Sequence, residues 1–179
     1  MNELESVSVD LKLPYIKGSL KFKPNRNEQN AAWVLFVEYS TRVIGMGFDS
    51  SNSSLTSVNN SLRQLCSITR STLADAGPTI GSSNRSLGAI GIHMVGELTR
   101  YLSRWSFHLE EYLKACGNDQ APIMYKEKSW EHYSEAVAEL KLLQVHLNMY
   151  VNALGKISGS TINLEHNKAF KTDSQRLAL

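Results

Sequence analysis

Trp130, Tyr133, Val137, Leu140, Gln144, Leu147, Val151 and Leu154 recur at alternating steps of three and four residues. At about 3.6 residues per turn this spacing lines one face of a helix, the pattern of a helix that packs along its length against other helices. The seam predicts one long helix from about Lys126 to Ile157. The rest of the chain must then supply partners for that seam.

Three further helical patterns precede it. Asn25 or Asn27 can cap a first helix running to about Gly45, with Ala32, Leu35, Phe36, Tyr39 and Val43 on its apolar face. Ser54 opens a second that buries Leu55, Val58, Leu62, Leu65 and Leu73. It stops at Gly77-Pro78, since glycine just past a helix followed by proline is a strong stop signal. Ser86 caps a third, which runs to Cys116-Gly117 through Ile90, Met94, Leu98, Leu102, Trp105, Leu109 and Leu113. Glycines inside a helix cost stability, so Gly88, Gly91 and Gly96 predict close approach of a neighbouring backbone. Trp33, Trp105 and Trp130 all fall within apolar periodicity and are expected in the core.

Near the N-terminus, Val7, Val9, Leu11 and Leu13 alternate with Ser8, Asp10 and Lys12. Leu20-Lys21-Phe22-Lys23 alternates again, punctuated by Pro14, Gly18 and Pro24. This reads as a short β-hairpin or an extended arm. A lone two-stranded hairpin is marginal in water, so it must pack on the helices or add to a partner. The expected architecture is all-α, with a hairpin or arm over residues 1–24, a four-helix bundle over 25–158 and a polar tail or docking segment over 159–179.

Composition removes several function classes. With 42% apolar and 20% charged residues and a net charge of +2, the chain is ordinary globular material. No whole-chain field draws it to nucleic acid or membrane. Lys17, Lys21, Lys23 and Arg26 gather at the strand region, where lysines commonly guard a sheet edge. Cys66 and Cys116 have neither metal-ligand spacing nor the density of a disulfide scaffold, which fits a reduced, cytoplasmic compartment. Glu3 and Glu5 stand where a signal peptide would carry bases, and the apolar run from Leu87 to Val95 is too short to span a bilayer. Ser71, Ser82 and Ser106 lack a nucleophile-elbow context, and there is no phosphate loop, dinucleotide fingerprint or zinc-protease motif. His93 and Glu97 share a helical face, but no Glu-x-x-His accompanies them, so neither metal nor cofactor is expected.

Two constellations remain. Glu127, Glu131, Glu135 and Glu139 form a row at four-residue spacing. It reads as a solvated face opposite the seam, or as an acidic docking surface for a basic partner, and with Trp105 it makes up the candidate interaction residues. Arg104 and His108 lie one helical turn apart, near Glu97, Arg100, Tyr101 and Glu111. The plain reading is a ladder of charge pairs, Glu97–Arg100–Arg104. The arginine–histidine pair, with spacer Trp105-Ser106-Phe107, also resembles the signature of the HEPN ribonucleases. That resemblance implies a metal-independent attack on an RNA phosphodiester across a dimer interface. A third reading, nucleic-acid binding, requires Arg63, Arg70, Arg85, Arg100 and Arg104 to gather on one surface.

Three stretches together resemble a group of small, uncharacterised, all-helical bacterial proteins. They are Ala31-Ala32-Trp33-Val34-Leu35-Phe36-Val37-Glu38 with Thr41-Arg42-Val43, then Leu98-Thr99-Arg100-Tyr101-Leu102-Ser103-Arg104-Trp105 with His108, and the arm from Leu13 to Pro24. The resemblance implies a helical fold and a bacterial origin, and no activity. The expected function is non-catalytic: a protein–protein interaction or accessory subunit, of the kind found in bacterial conflict and defence systems, with a protein partner or a second copy. The HEPN-like ribonuclease using Arg104 and His108 is the alternative.

Overall fold

The computed structural model describes residues 7–10, 19–42, 48–81, 87–117 and 121–162, with side chains from residue 23 onward. The fold is all-α. Its helices are α1 (Arg26–Thr41), α2 (Leu55–Ala76), α3 (Leu87–Ala115), the short α4 (Ile123–Lys128) and α5 (Tyr133–Ser158). A single turn of 3-10 helix, Pro78–Gly81, joins α2 towards α3. The backbones of β1 (Val7–Asp10) and β2 (Ser19–Phe22) pair antiparallel, with Val7 opposite Phe22 and Asp10 opposite Ser19.

Local chemistry sets the helix ends. The Asn25 side chain accepts from Glu28 N at 3.0 Å while Glu28 accepts from Asn25 N at 2.9 Å, a reciprocal capping box that satisfies two otherwise orphaned donors. Ser54 Oγ accepts from Ser57 N and opens α2. Gly77 closes it at φ +82°, a conformation that costs a side-chain-bearing residue energy. Gly159, left-handed at φ +74°, ends α5, with Ser160 N donating back to Gly155 O.

Each long helix packs against two others: α1 lies against α2 and α5, and α3 against α2 and α5. The interior is built from Leu35, Leu55, Leu62, Leu65, Leu87, Ile90, Met94, Leu98, Leu140 and Leu154, together with Tyr39, Tyr101 and Tyr150. Tyr39 Oη meets Thr69 Oγ1 at 2.8 Å. Because Thr69 spends its proton on Leu65 O, the tyrosine is the donor in this pair. Burial drives the Tyr39 and Tyr101 hydroxyls far above their usual pKa.

Several expectations are corrected here. The helix expected from Lys126 to Ile157 is two helices, divided by a turn at residues 129–132. Trp130 sits in that turn, buried between Trp105 and Tyr112 at ring distances of 6.0 and 6.4 Å. The turn lets Glu127 face α2 while the following residues align with α3. Of the seam residues, only Tyr133 is incompletely buried. Trp33, expected in the core, is 44% exposed. It lies roughly 100° or more around α1 from Ala32, Leu35 and Tyr39, the face that is buried. Gly88 and Gly91 do mark close approach: a Cβ at Gly88 would stand 2.8 Å from Ile80 O, and one at Gly91 would stand 2.6 Å from Leu73. Gly96 marks none, since its Cβ position is open. Val43, Gly45, Ser86, Leu11, Leu13 and the segment from 163 onward lie outside the described residues.

Candidate functional site

Of the residues singled out from the sequence, Arg104, Trp105, Glu135 and Glu139 meet where the middle of α3 packs on the start of α5. Trp105, one turn from Tyr101 on the core-facing side of α3, points its indole Nε1 at Glu139 on α5 and donates to Oε2 at 2.7 Å. Arg104, its neighbour, is turned outward. Its guanidinium lies over the Trp105 ring at 4.8 Å and reaches α5 twice, to Glu135 Oε1 at 3.0 Å and Glu139 Oε2 at 3.2 Å. Glu139 is therefore shared by an indole and a guanidinium, which fixes both side chains of α3 against α5. His132 closes the aromatic group at 6.1 Å from Trp105 and 5.5 Å from Trp130.

About two turns N-terminal to Arg104 along α3, Glu97 forms a second crosslink. It is nearly buried and bridges Arg100 at 2.9 Å and His146 Nδ1 at 3.2 Å. The ladder expected along one helix is thus cut: Glu97 holds Arg100, whereas Arg104 leaves its own helix for α5. On the other flank of α3, Arg63 of α2 binds Glu110 and donates to Ser106 Oγ at 2.7 Å. Arg63 and Arg104 consequently occupy different grooves, and Arg85 lies outside the described residues. Arg63, Arg100 and Arg104 are each paired with a carboxylate.

The row of acids is also corrected. Glu127, read as part of a solvated face, is 0% exposed. Its Oε2 accepts from Leu55 N at 2.7 Å, and its Oε1 accepts from Thr56 N at 2.8 Å and Thr56 Oγ1 at 2.6 Å. A carboxylate here meets the unsatisfied N–H groups and positive dipole end of α2, which makes its burial tolerable without a cation. Nothing local announces this role, because the contact joins residues more than seventy positions apart. Glu131 and Glu135 do face solvent, while Glu139 is partly covered. Four-residue spacing failed as a guide because the chain turns between Glu127 and Glu135.

His108 is exposed and lies against Phe107, with ring centroids 6.0 Å apart. Phe107 itself is 63% exposed. Arg104 and His108 share the outer side of α3, but two carboxylates already neutralise the arginine, which leaves it little field for a phosphate. His93 and Glu97 are not joined by further ligands; among the described residues, no group of three or more His, Cys, Asp or Glu is arranged to hold a metal ion. Burial raises the pKa of Cys66. Among the described residues, no helix is long and apolar enough to cross a membrane.

At this junction Arg104, Glu131, His132 and Glu135 are exposed around Trp105, Trp130 and Glu139, and the next turn of α3 exposes Phe107 and His108. No family model, curated protein or solved structure matches the chain.

Proposed function

We propose that the protein is a non-catalytic interaction subunit, a four-helix bundle with an N-terminal β-hairpin that binds a protein partner through the α3–α5 junction. The observation that carries this reading is Phe107: a large apolar side chain, 63% exposed, against His108 on the same helix that carries the ion-paired Arg104. An apolar anchor with a polar rim is the arrangement in which a few residues supply most of the affinity of a protein interface. Of the interaction residues expected from the sequence, Glu131 and Glu135 belong to the rim. Trp105 and Glu139 hold the surface in shape, and Glu127 braces α4 from within. An accessory subunit of a multi-component bacterial system in the cytoplasm is the setting in which such a surface would serve.

The test is affinity capture from the native host with wild type, Phe107→Asp and Glu131→Lys side by side. A stoichiometric protein retained by the wild type should be lost with Phe107→Asp, by about thirtyfold or more in affinity for a central anchor. Glu131→Lys should weaken it mainly at low salt. Recovery of RNA instead, altered by Arg104→Ala with His108→Ala, would replace this reading with the ribonuclease.

A further inference from the structure

Among the described residues, the two most exposed large apolar side chains are Ile92, 68% exposed, and Phe107, 63% exposed, and both belong to α3. Ile92, Gly96, Thr99, Ser103 and Phe107 are all exposed and follow one another at steps of four, three, four and four residues. At about 100° per residue they fall within an arc of about 80°, one seam on the side of α3 away from the core. Its two ends are bulky and its middle is small. Gly96 has no packing reason within the chain: a Cβ there would meet nothing within 4 Å, and a glycine in a helix interior costs stability. Beside the seam, Arg63 of α2 donates to Ser106 and binds Glu110. Arg70, seven residues on, shares that flank of α2. It lies near the level of Gly96, between the Arg63–Ser106 contact and the approach of Leu73 to Gly91. Arg70 is exposed and has no ion pair among the described residues.

We infer that this seam is covered by a second copy of the chain, with the two α3 helices antiparallel about a two-fold axis near Arg100. The inference rests on the reading of Phe107 as an interface anchor and names what it anchors to. A two-fold interface uses the same patch on both copies and must complement itself. In a parallel pair the two-fold runs along the helices and forbids any shift, so Phe107 would stand against Phe107 and hold the small middle of the seam apart. In an antiparallel pair the register is free. Phe107 of each copy then enters the notch between Ile92 and Gly96 of the other, and the small residues let the helix axes approach to about 8 Å. Charge agrees with this register. It brings Glu110 within about 7 Å, measured along the axis, of Arg70 of the second copy, and symmetry forms that pair twice. Arg100, the cation nearest the two-fold, is already bridged by Glu97 of its own helix. The seam from Ile92 to Phe107 is about 22 Å long at 1.5 Å per residue. A helix pair of that length is at the small end of specific interfaces, which sets the expected Kd at about 10–100 μM.

Sedimentation velocity on the full chain, from about 5 to about 500 μM, tests it. The wild type should pass from monomer to dimer across this range and no further. Ile92→Glu should raise the Kd about tenfold or more, since it places a charge at each end of the seam. Gly96→Leu should abolish the dimer by filling the notch. Its thermal unfolding midpoint should be no lower than that of the wild type, because the position is open within the chain, so loss of the seam is separated from loss of the fold. Arg70→Ala should weaken the dimer about twofold to fivefold. A dimer unchanged or tightened by Arg70→Ala would overturn the antiparallel arrangement. Tighter association of Gly96→Leu would overturn the seam itself, because a merely adhesive surface gains from an added apolar side chain. A wild type that stays monomeric throughout would overturn the second copy as partner and leave Phe107 to a different protein, whose capture Phe107→Asp would still abolish.

Discussion

The glycines of α3 show how one residue type serves opposite ends within a single helix. Gly91 lies under the end of the Leu73 side chain, which an added methyl would push aside. Gly88 is tighter still in kind, because the neighbour is the backbone carbonyl of Ile80, which cannot rotate away. Gly96 faces open space, where it contributes only the flexibility that destabilises a helix interior. Gly88→Ala is therefore expected to cost about 1–3 kcal/mol, whereas Gly96→Ala should gain up to about 1 kcal/mol. Urea unfolding of the two variants beside wild type measures both, and opposite signs are the expected result. The sequence shows three glycines in one helix, but their separation into two contacts and one exposed position depends on Ile80 and Leu73, which only the packing of α2 on α3 brings near.

At the scale of elements, the short α4 is held by one carboxylate. A six-residue helix is too short to persist on its own in water. Glu127 binds it to the N-terminus of α2, satisfying two backbone donors and the Thr56 hydroxyl. Glu127→Ala should remove about 3 kcal/mol, since charge-assisted bonds are lost and buried N–H groups are left unpaired. Glu127→Gln should cost less, because one amide oxygen can still accept while the NH₂ faces a donor. Thermal or denaturant unfolding checks the order Ala worse than Gln worse than wild type. Equal loss for both would show that the negative charge, rather than the acceptor geometry, is what α2 requires. The helix ends at Asn25, Ser54 and Gly77 were legible in the sequence because caps are local, formed by residues three or four apart. The division between α4 and α5 was not, because apolar periodicity runs unbroken from Trp130 onward. The division accompanies the contact of Glu127 with the start of α2, which is distant in sequence.

For the molecule as a whole, pH reports how the interior is made. Tyr39 and Tyr101 lie in the core with hydroxyl pKa values raised above the usual 10, chiefly by burial. Above that value the unfolded chain gives up protons that the folded chain retains, so the unfolded state binds fewer protons and stability falls as pH rises. The contribution is complete below about pH 10 and declines from there by about 1.4 kcal/mol per pH unit for each such tyrosine. Denaturant unfolding from pH 8 to pH 11 should show this decline. Tyr101→Phe should reduce its slope, and at neutral pH it should cost little, because the Tyr101 hydroxyl is buried with no hydrogen-bond partner among the described residues. A slope unchanged in Tyr101→Phe would mean that this side chain is accessible to solvent in the native state.

Amphipathic spacing, caps and stop signals determined which stretches of this chain are helical and which faces are apolar, because helix geometry and capping act over only a few residues. Only the tertiary structure decided what the polar side chains do. Arg104, Glu97, Glu127 and Glu139 each take their role from a partner on another helix, at separations of 31 to 72 residues. It also decided that Trp33 is outside while Trp105 and Trp130 are inside. An apolar residue near the edge of a helical stripe is buried or exposed according to how far the neighbouring helix reaches around it. That reach is a property of the assembled molecule.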